Sequence, residues 1–138
     1  MKGESQLGVT PEVEGMHAEH LTFLVVERDV LVADDLVESL SEFHPDSTLI
    51  VCRSIEDAQE RLEAGLVVDL AVIGVRSRDG DVERLLAQLD GISARRIMMS
   101  DKLDNEIEGR QVTITRPFVT STLRAALERL LGTPGPVA

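Results

Sequence analysis

Acidic, cationic and hydroxyl side chains gather in four short stretches of this sequence: Glu27-Arg28-Asp29, Gly74 to Asp79, Ser100-Asp101 and Thr115-Arg116-Pro117. Carboxylates hold hard cations such as Mg2+, an aspartate can act as the nucleophile in phosphoryl transfer, and paired guanidinium groups bind anions. The set is unbalanced for metal chemistry. Glu27 supplies one negative charge against the positive charges of Arg28 and Arg116. Bringing a dication within ~5 Å of one net positive charge, at an effective dielectric of ~20, costs roughly 6 kcal/mol. No metal is expected, Mg2+ included. Arg28 and Arg116 could instead hold a small anion or a nucleotide phosphate, but the simpler arrangement is that they pair with Glu27 and Asp29.

Other reactive side chains read as structural. The single cysteine, Cys52, excludes an internal disulfide and sits in the apolar run TLIVC, where a core thiol is expected. His17 and His20 lie in a Gly-, Pro- and Glu-containing stretch and read as solvated rather than metal-bound. Asp79 and Asp81 flank Gly80, where their ordinary role is to turn the chain and cap the next helix. Asp69, five residues before Gly74 on one strand, would lie roughly 16 Å from it. Asp34, Asp35, Glu38 and Glu42 make an acidic helix face, most simply a solvated one.

The formal net charge of -11, from 25 acidic and 14 basic residues, argues against direct nucleic-acid binding, which needs a clustered basic surface. No stretch reaches membrane-spanning length and no signal peptide is visible, so a cytoplasmic protein without membrane contact is expected. The 138 residues suffice for one domain. Residues 1–20 read as a flexible tail, residues 21–131 as the folded domain, and residues 132–138, rich in Gly and Pro, as a second tail.

Within 21–131, strand and helix periods alternate. LTFLVV is followed by Ala33, Leu36, Val37, Leu40 and Phe43 at helical spacing, ending at His44-Pro45. STLIVC precedes a helix opened by Ser54 with Asp57 three residues on and closed at Gly65. VVDLAVIGV has the near-continuous apolarity of a strand covered on both faces, and Val82, Leu85, Leu86 and Leu89 form the next helical stripe. RIMMS is a fourth strand. Residues 101–110 hold only Leu103 and Ile107 as apolar anchors, so the fourth helix is expected to be short or absent. QVTIT alternates like an edge strand, and Leu123, Ala126, Leu127, Leu130 and Leu131 mark the last helix. The predicted fold is α/β, a (βα)5 doubly wound parallel sheet whose functional loops lie beyond the strands' carboxyl ends.

LTFLVVERD, DLAVIG with a following DG, IMMS and TRPF occur in the order and approximate spacing of the receiver domain of two-component response regulators, and the chain resembles that family from Leu21 to Leu131. The resemblance implies a CheY-like, flavodoxin-like sheet in strand order 2-1-3-4-5 and a cis bond at Arg116-Pro117. It also implies a phosphorylation pocket, which this sequence matches in degenerate form. Glu27 takes the first acidic position, with Arg28 where a metal-directed carboxylate belongs and Asp29 beside it. Gly74 falls on the phosphoacceptor, Ser100 keeps the hydroxyl, and Arg116 before Pro117 replaces the lysine. Thr113 stands where many receivers place a switch aromatic.

The expectation is therefore a stand-alone pseudo-receiver, not an enzyme, that signals by phosphorylation-independent contact with a kinase, regulator or output protein. Alternatives are phosphorylation on Asp79 or Asp81, and an anion or nucleotide sensor at Arg28 and Arg116. A homodimer or partner contact through Thr113, Phe118, Leu123 and Leu127 is expected on the side vacated by the fourth helix.

Overall fold

The computed structural model describes residues 19–74, 80–100, 106–115 and 118–132, with backbone only for 80, 81 and 106–108. In chain order the elements are β1 (Leu21–Glu27), α1 (Val30–Phe43), β2 (Ser47–Cys52), α2 (Ile55–Glu63), β3 (Leu70–Gly74), α3 (Gly80–Gly91), β4 (Arg95–Ser100), β5 (Glu106–Glu108), β6 (Gln111–Thr115) and α4 (Thr120–Leu131). Five strands are parallel, in the order β2-β1-β3-β4-β6. This is the 2-1-3-4-5 order of the sequence reading, with β6 as the fifth parallel strand. Of the expected tails, 1–20 and 132–138, residues 1–18 and 133–138 lie outside the described residues; His20, read as a solvated tail residue, is instead bonded to Asp46 and Thr48.

Alternation along the buried strands sorts the apolar side chains onto two faces. Phe23 and Val25 of β1 join Leu70, Val72, Ile97, Met99, Val112 and Ile114 under α1 and α4. Leu24 and Val26 join Ala71, Ile73 and Cys52 under α2 and α3. Each large side chain removed from water in this way stabilises the fold by roughly 1.5–3 kcal/mol.

Local signals fix the helix ends. The Asp29 carboxylate caps α1 by accepting from the N–H groups of Leu31 and Val32, and Ser54 caps α2 by accepting from Asp57 N–H. The α1 helix stops at Phe43, before Pro45, and Gly65 adopts φ +105 just beyond α2, a left-handed value that favours glycine.

The segment whose helix was expected to be short or absent contains a strand. Glu106–Glu108 pairs antiparallel with β6, Ile107 opposite Val112, through a two-residue turn at Gly109-Arg110. Gly109 has φ +59 whereas Arg110 is not in the positive region, the pattern of a type II′ hairpin turn. QVTIT is therefore not an edge strand as its alternation suggested. It is paired on both sides, with β4 and with β5. Residues 101–105 lie outside the described residues.

Candidate functional site

The sheet's carboxyl edge brings several of the singled-out positions together. Glu27 is the register partner of Gly74, and Ser100 that of Thr115. Glu27 is 3% exposed and its Oε2 accepts from Asp29 N–H at 3.0 Å. The Asp29 Oδ1 accepts from Leu31 N–H at 2.9 Å and Val32 N–H at 3.3 Å. Between them the Arg28 carbonyl accepts from Nε and Nη2 of Arg53, at 3.2 and 2.9 Å. The stretch is thus held through backbone groups. Gly74 is buried at the end of β3, while Ser100 and Thr115 are half-buried and both engaged.

This geometry corrects one expectation. The Arg28 side chain is exposed and makes no ion pair among the described residues, so it does not pair with Glu27 or Asp29. Nearby backbone N–H groups, local donors with no chain entropy to lose, are held by these carboxylates instead. Asp79, Asp101, Arg116 and Pro117, with the cis bond and the shared Arg28/Arg116 pocket, lie outside the described residues, as does the side chain of Asp81.

The remaining titratable candidates are occupied elsewhere. Asp69, at the opposite end of β3 from Gly74, accepts from Thr22 N–H at 2.8 Å through Oδ2. Cys52 is fully buried beside Val26, and burial, reinforced by the Asp57 carboxylate, pushes its thiol up to about 11. Among the described residues no group of three His, Cys, Asp or Glu side chains could hold a metal ion. Within the same residues no helix is long and apolar enough to cross a membrane.

No family model matches the sequence, and no curated protein is similar to it. Solved structures are. A response regulator receiver protein from Sinorhizobium medicae WSM419 superposes with a TM-score of 0.66 at 19% identity, over 83% of this chain and 96% of that one. The signal receiver domain of an HD domain-containing protein from Pseudomonas fluorescens Pf-5 gives 0.64 at 24% identity, over 82% and 95%. The PhyR response regulator REC domain of Erythrobacter litoralis gives 0.62 at 20% identity, over 88% and 98%. This chain has the receiver fold.

Placing the remaining candidates on the receiver fold removes two of the four residues of the expected contact surface. Leu123 and Leu127 are 0% and 1% exposed and belong to the core under α4, so neither can meet a partner. Phe118 is half-buried against that same core. Thr113 stands opposite Glu106 in the β5–β6 hairpin, on the side that was expected to be open. The apolar stripe of the last helix is a core stripe.

Three of the exposed apolar side chains of the receiver fold lie at the carboxyl edge, with Val67 at the amino side, and the sequence reading missed them. Leu31 is 75% exposed and Val30 48%, both in the first turn of α1, and Val119 at the N-cap of α4 is 56% exposed. Both helix starts follow strands at the carboxyl edge, and both helices cover the same face of the sheet. The signal was present as apolar residues out of phase with the core stripe. Asp34, Asp35, Glu38 and Glu42 are exposed along the same α1 helix.

Proposed function

We propose that this chain is a degenerate receiver that works in two-component or phosphorelay signalling as a non-enzymatic protein-interaction module, read by a kinase, regulator or output protein without aspartyl phosphorylation. The observation that carries the reading is Gly74, set at the buried end of β3 beside Glu27. Transfer of a phosphoryl group to a receiver-type strand end requires a carboxylate nucleophile and a cation, and glycine has no side chain to supply either function. No Mg2+ requirement follows, and the neighbouring Arg28 opposes a cation electrostatically. Leu31, Val30 and Val119, exposed beside this edge, supply the apolar contact that a partner would bury. Cytoplasmic action and lack of direct nucleic-acid contact are part of the same reading, supported by the acidic net charge of -11.

Intact-mass analysis after treatment with acetyl phosphate and Mg2+ tests it. The wild type should gain no phosphate, Gly74→Asp little, and the combination Gly74→Asp, Arg28→Asp, Arg116→Lys some. Wild-type labelling mapped to Asp79 or Asp81 would overturn the reading in favour of an unorthodox acceptor.

A second reading, a small-anion or nucleotide sensor, is favoured by one observation. The Arg28 guanidinium is exposed and carries no ion pair among the described residues. A rise in melting temperature with inorganic phosphate or a nucleotide that Arg28→Ala abolishes would support it by mass-action linkage. No shift with either probe would eliminate it.

A further inference from the structure

The two edges of the sheet are unlike. At one, the short β5 strand is part of a hairpin. At the other, β2 runs for six residues, Ser47–Cys52, paired only with β1, and no described segment lies along its outer side. The direction of its free backbone groups can be derived. Leu21, in register with Ser47, donates its N–H to the Asp46 carbonyl. In a parallel ladder the bonding groups alternate along the strand, so Thr48 and Ile50 turn their N–H and C=O toward β1. Leu49 and Val51 therefore direct theirs outward, away from the sheet.

Edge strands are normally blunted by charge, proline, a bulge or a covering segment. The six residues of β2, STLIVC, contain no charge and no proline, in a chain whose net charge is -11. Val51 is 37% exposed on this strand. Charge is found only immediately beyond its ends, with Asp46 before the strand and Arg53 after it. This arrangement is self-complementary under a two-fold axis perpendicular to the sheet.

We propose that β2 is the site of homodimerisation, with two copies joined edge to edge as antiparallel strands in one continuous sheet. The axis keeps each core face on its own side, so facing residues must share a face. The register with Leu49 of one copy opposite Val51 of the other meets that requirement. It pairs every outward N–H and C=O of these two residues. Sliding the strands to place Leu49 opposite its own mate would leave the Val51 carbonyl unpaired, because Ser47 N–H is already donated to the Pro45 carbonyl. In the favoured register Asp46, whose Oδ1 already meets His20, comes alongside the end of the other copy that carries Arg53, whose Nε and Nη2 are held by its own Arg28 carbonyl, so the charges facing each other at both ends of the seam are opposite in sign. A second copy fits this edge better than any face of the acidic helix α1, where like charges would repel.

The proposal is independent of whether the chain is phosphorylated, and the two can fail separately. Light scattering on the full chain should give twice its 15.1 kDa mass at high concentration, with dissociation on dilution. Val51→Pro removes an outward N–H without touching the ladder to β1, and should weaken the dimer at least about tenfold. Because a proline variant can fail to fold, Val51→Lys serves beside it. The lysine keeps the backbone donor and places a charge on the edge, and it should also yield monomer with the wild-type circular dichroism spectrum. Hydrogen exchange at the Leu49 and Val51 amides should slow with concentration, while that at Ile50 should not change with it. A mass of one chain at every concentration, or a dimer that a folded Val51→Lys variant leaves intact, would overturn the proposal.

Discussion

The two ends of the sheet differ in how many of their polar side chains join distant parts of the chain. At the amino end several do. His20 bridges Asp46 and Thr48, at 2.7 Å to each, and the buried His44 ring meets the Glu19 carbonyl at 2.7 Å. Asp69 ties β3 to Thr22 of β1, and Arg96 links Asp90 to Gln111. At the carboxyl end Glu27 and Asp29 accept from backbone N–H groups two or three residues along the chain, Arg53 supplies one long-range tie to the Arg28 carbonyl, and Leu31, Val30 and Val119 are left in solvent. The amino end is the more heavily stitched, and the carboxyl end presents three exposed apolar side chains against Val67 alone at the amino end among the described residues. Stability should therefore be sensitive to substitution at the amino end, and partner recognition to substitution at the carboxyl end.

The largest effect should come from the core beneath the stitched end. Phe23 is fully buried and meets the His44 ring edge-on at 6.4 Å. Phe23→Ala should destabilise by about 3–5 kcal/mol in urea denaturation. A loss below about 1 kcal/mol would mean that this end tolerates a cavity and the contrast fails.

Cys52 sharpens the contrast from the other side, since it sits near the carboxyl end but is withdrawn from chemistry. With its thiol at about 11 against an ordinary 9.0, the thiolate fraction at pH 8 should be about a hundredfold below that of a free thiol. Iodoacetamide labelling followed by mass should show native protein almost unmodified and urea-unfolded protein fully alkylated. Between pH 9 and 11 the unfolded chain releases this proton before the folded one does. The folded state then binds more protons, and this group's contribution to stability falls as pH rises.

Asp69→Ala should cost about 1–3 kcal/mol by leaving Thr22 N–H without its acceptor. Asp29→Ala, the corresponding change at the carboxyl end, removes a helix cap and should cost about 1 kcal/mol, with Ser or Asn restoring most of it. Chemical denaturation of the two variants side by side checks the order. A larger loss for Asp29 would reverse the comparison. Leu31→Ser should shift stability by no more than about 0.5 kcal/mol and yet reduce capture of a partner from native extract. Unchanged capture would remove α1 from the contact surface.

Much of the sheet was legible because its strands are covered on both faces. Continuous apolarity in VVDLAVIGV and the 3.6-residue stripe of α1 leave few alternatives, and Ser54 with Asp57 marks a helix start by its own chemistry. What escaped was decided by pairing rather than by period. Three residues, Glu106–Glu108, are too few to show an alternation, and they become a strand only because Gly109 folds them back onto β6. Leu123 and Leu127 were legible as an apolar stripe, but a stripe does not say whether it meets its own sheet or another protein. His44 reads in sequence as a helix terminator, whereas its buried ring anchors the backbone 25 residues away. Gly74 and Glu27 are register partners at the strand ends, but the engagement of Glu27 and Asp29 by backbone N–H groups depends on the turn into α1, which composition does not reveal.

The β5–β6 hairpin also bears on how the chain reaches this structure. Parallel strands must wait for an intervening crossover to close a loop, whereas a hairpin with a two-residue turn brings its strands together in about 1–10 μs. Its Gln111–Thr115 strand can thus be extended before any long-range contact exists, offering β4 a prepared edge. Gly109→Ala strains the turn at φ +59 without meeting any neighbouring atom, and a chevron plot should register it mainly on the refolding limb. In this chain the short strand gives β6 a local partner before the crossover from β4 has closed.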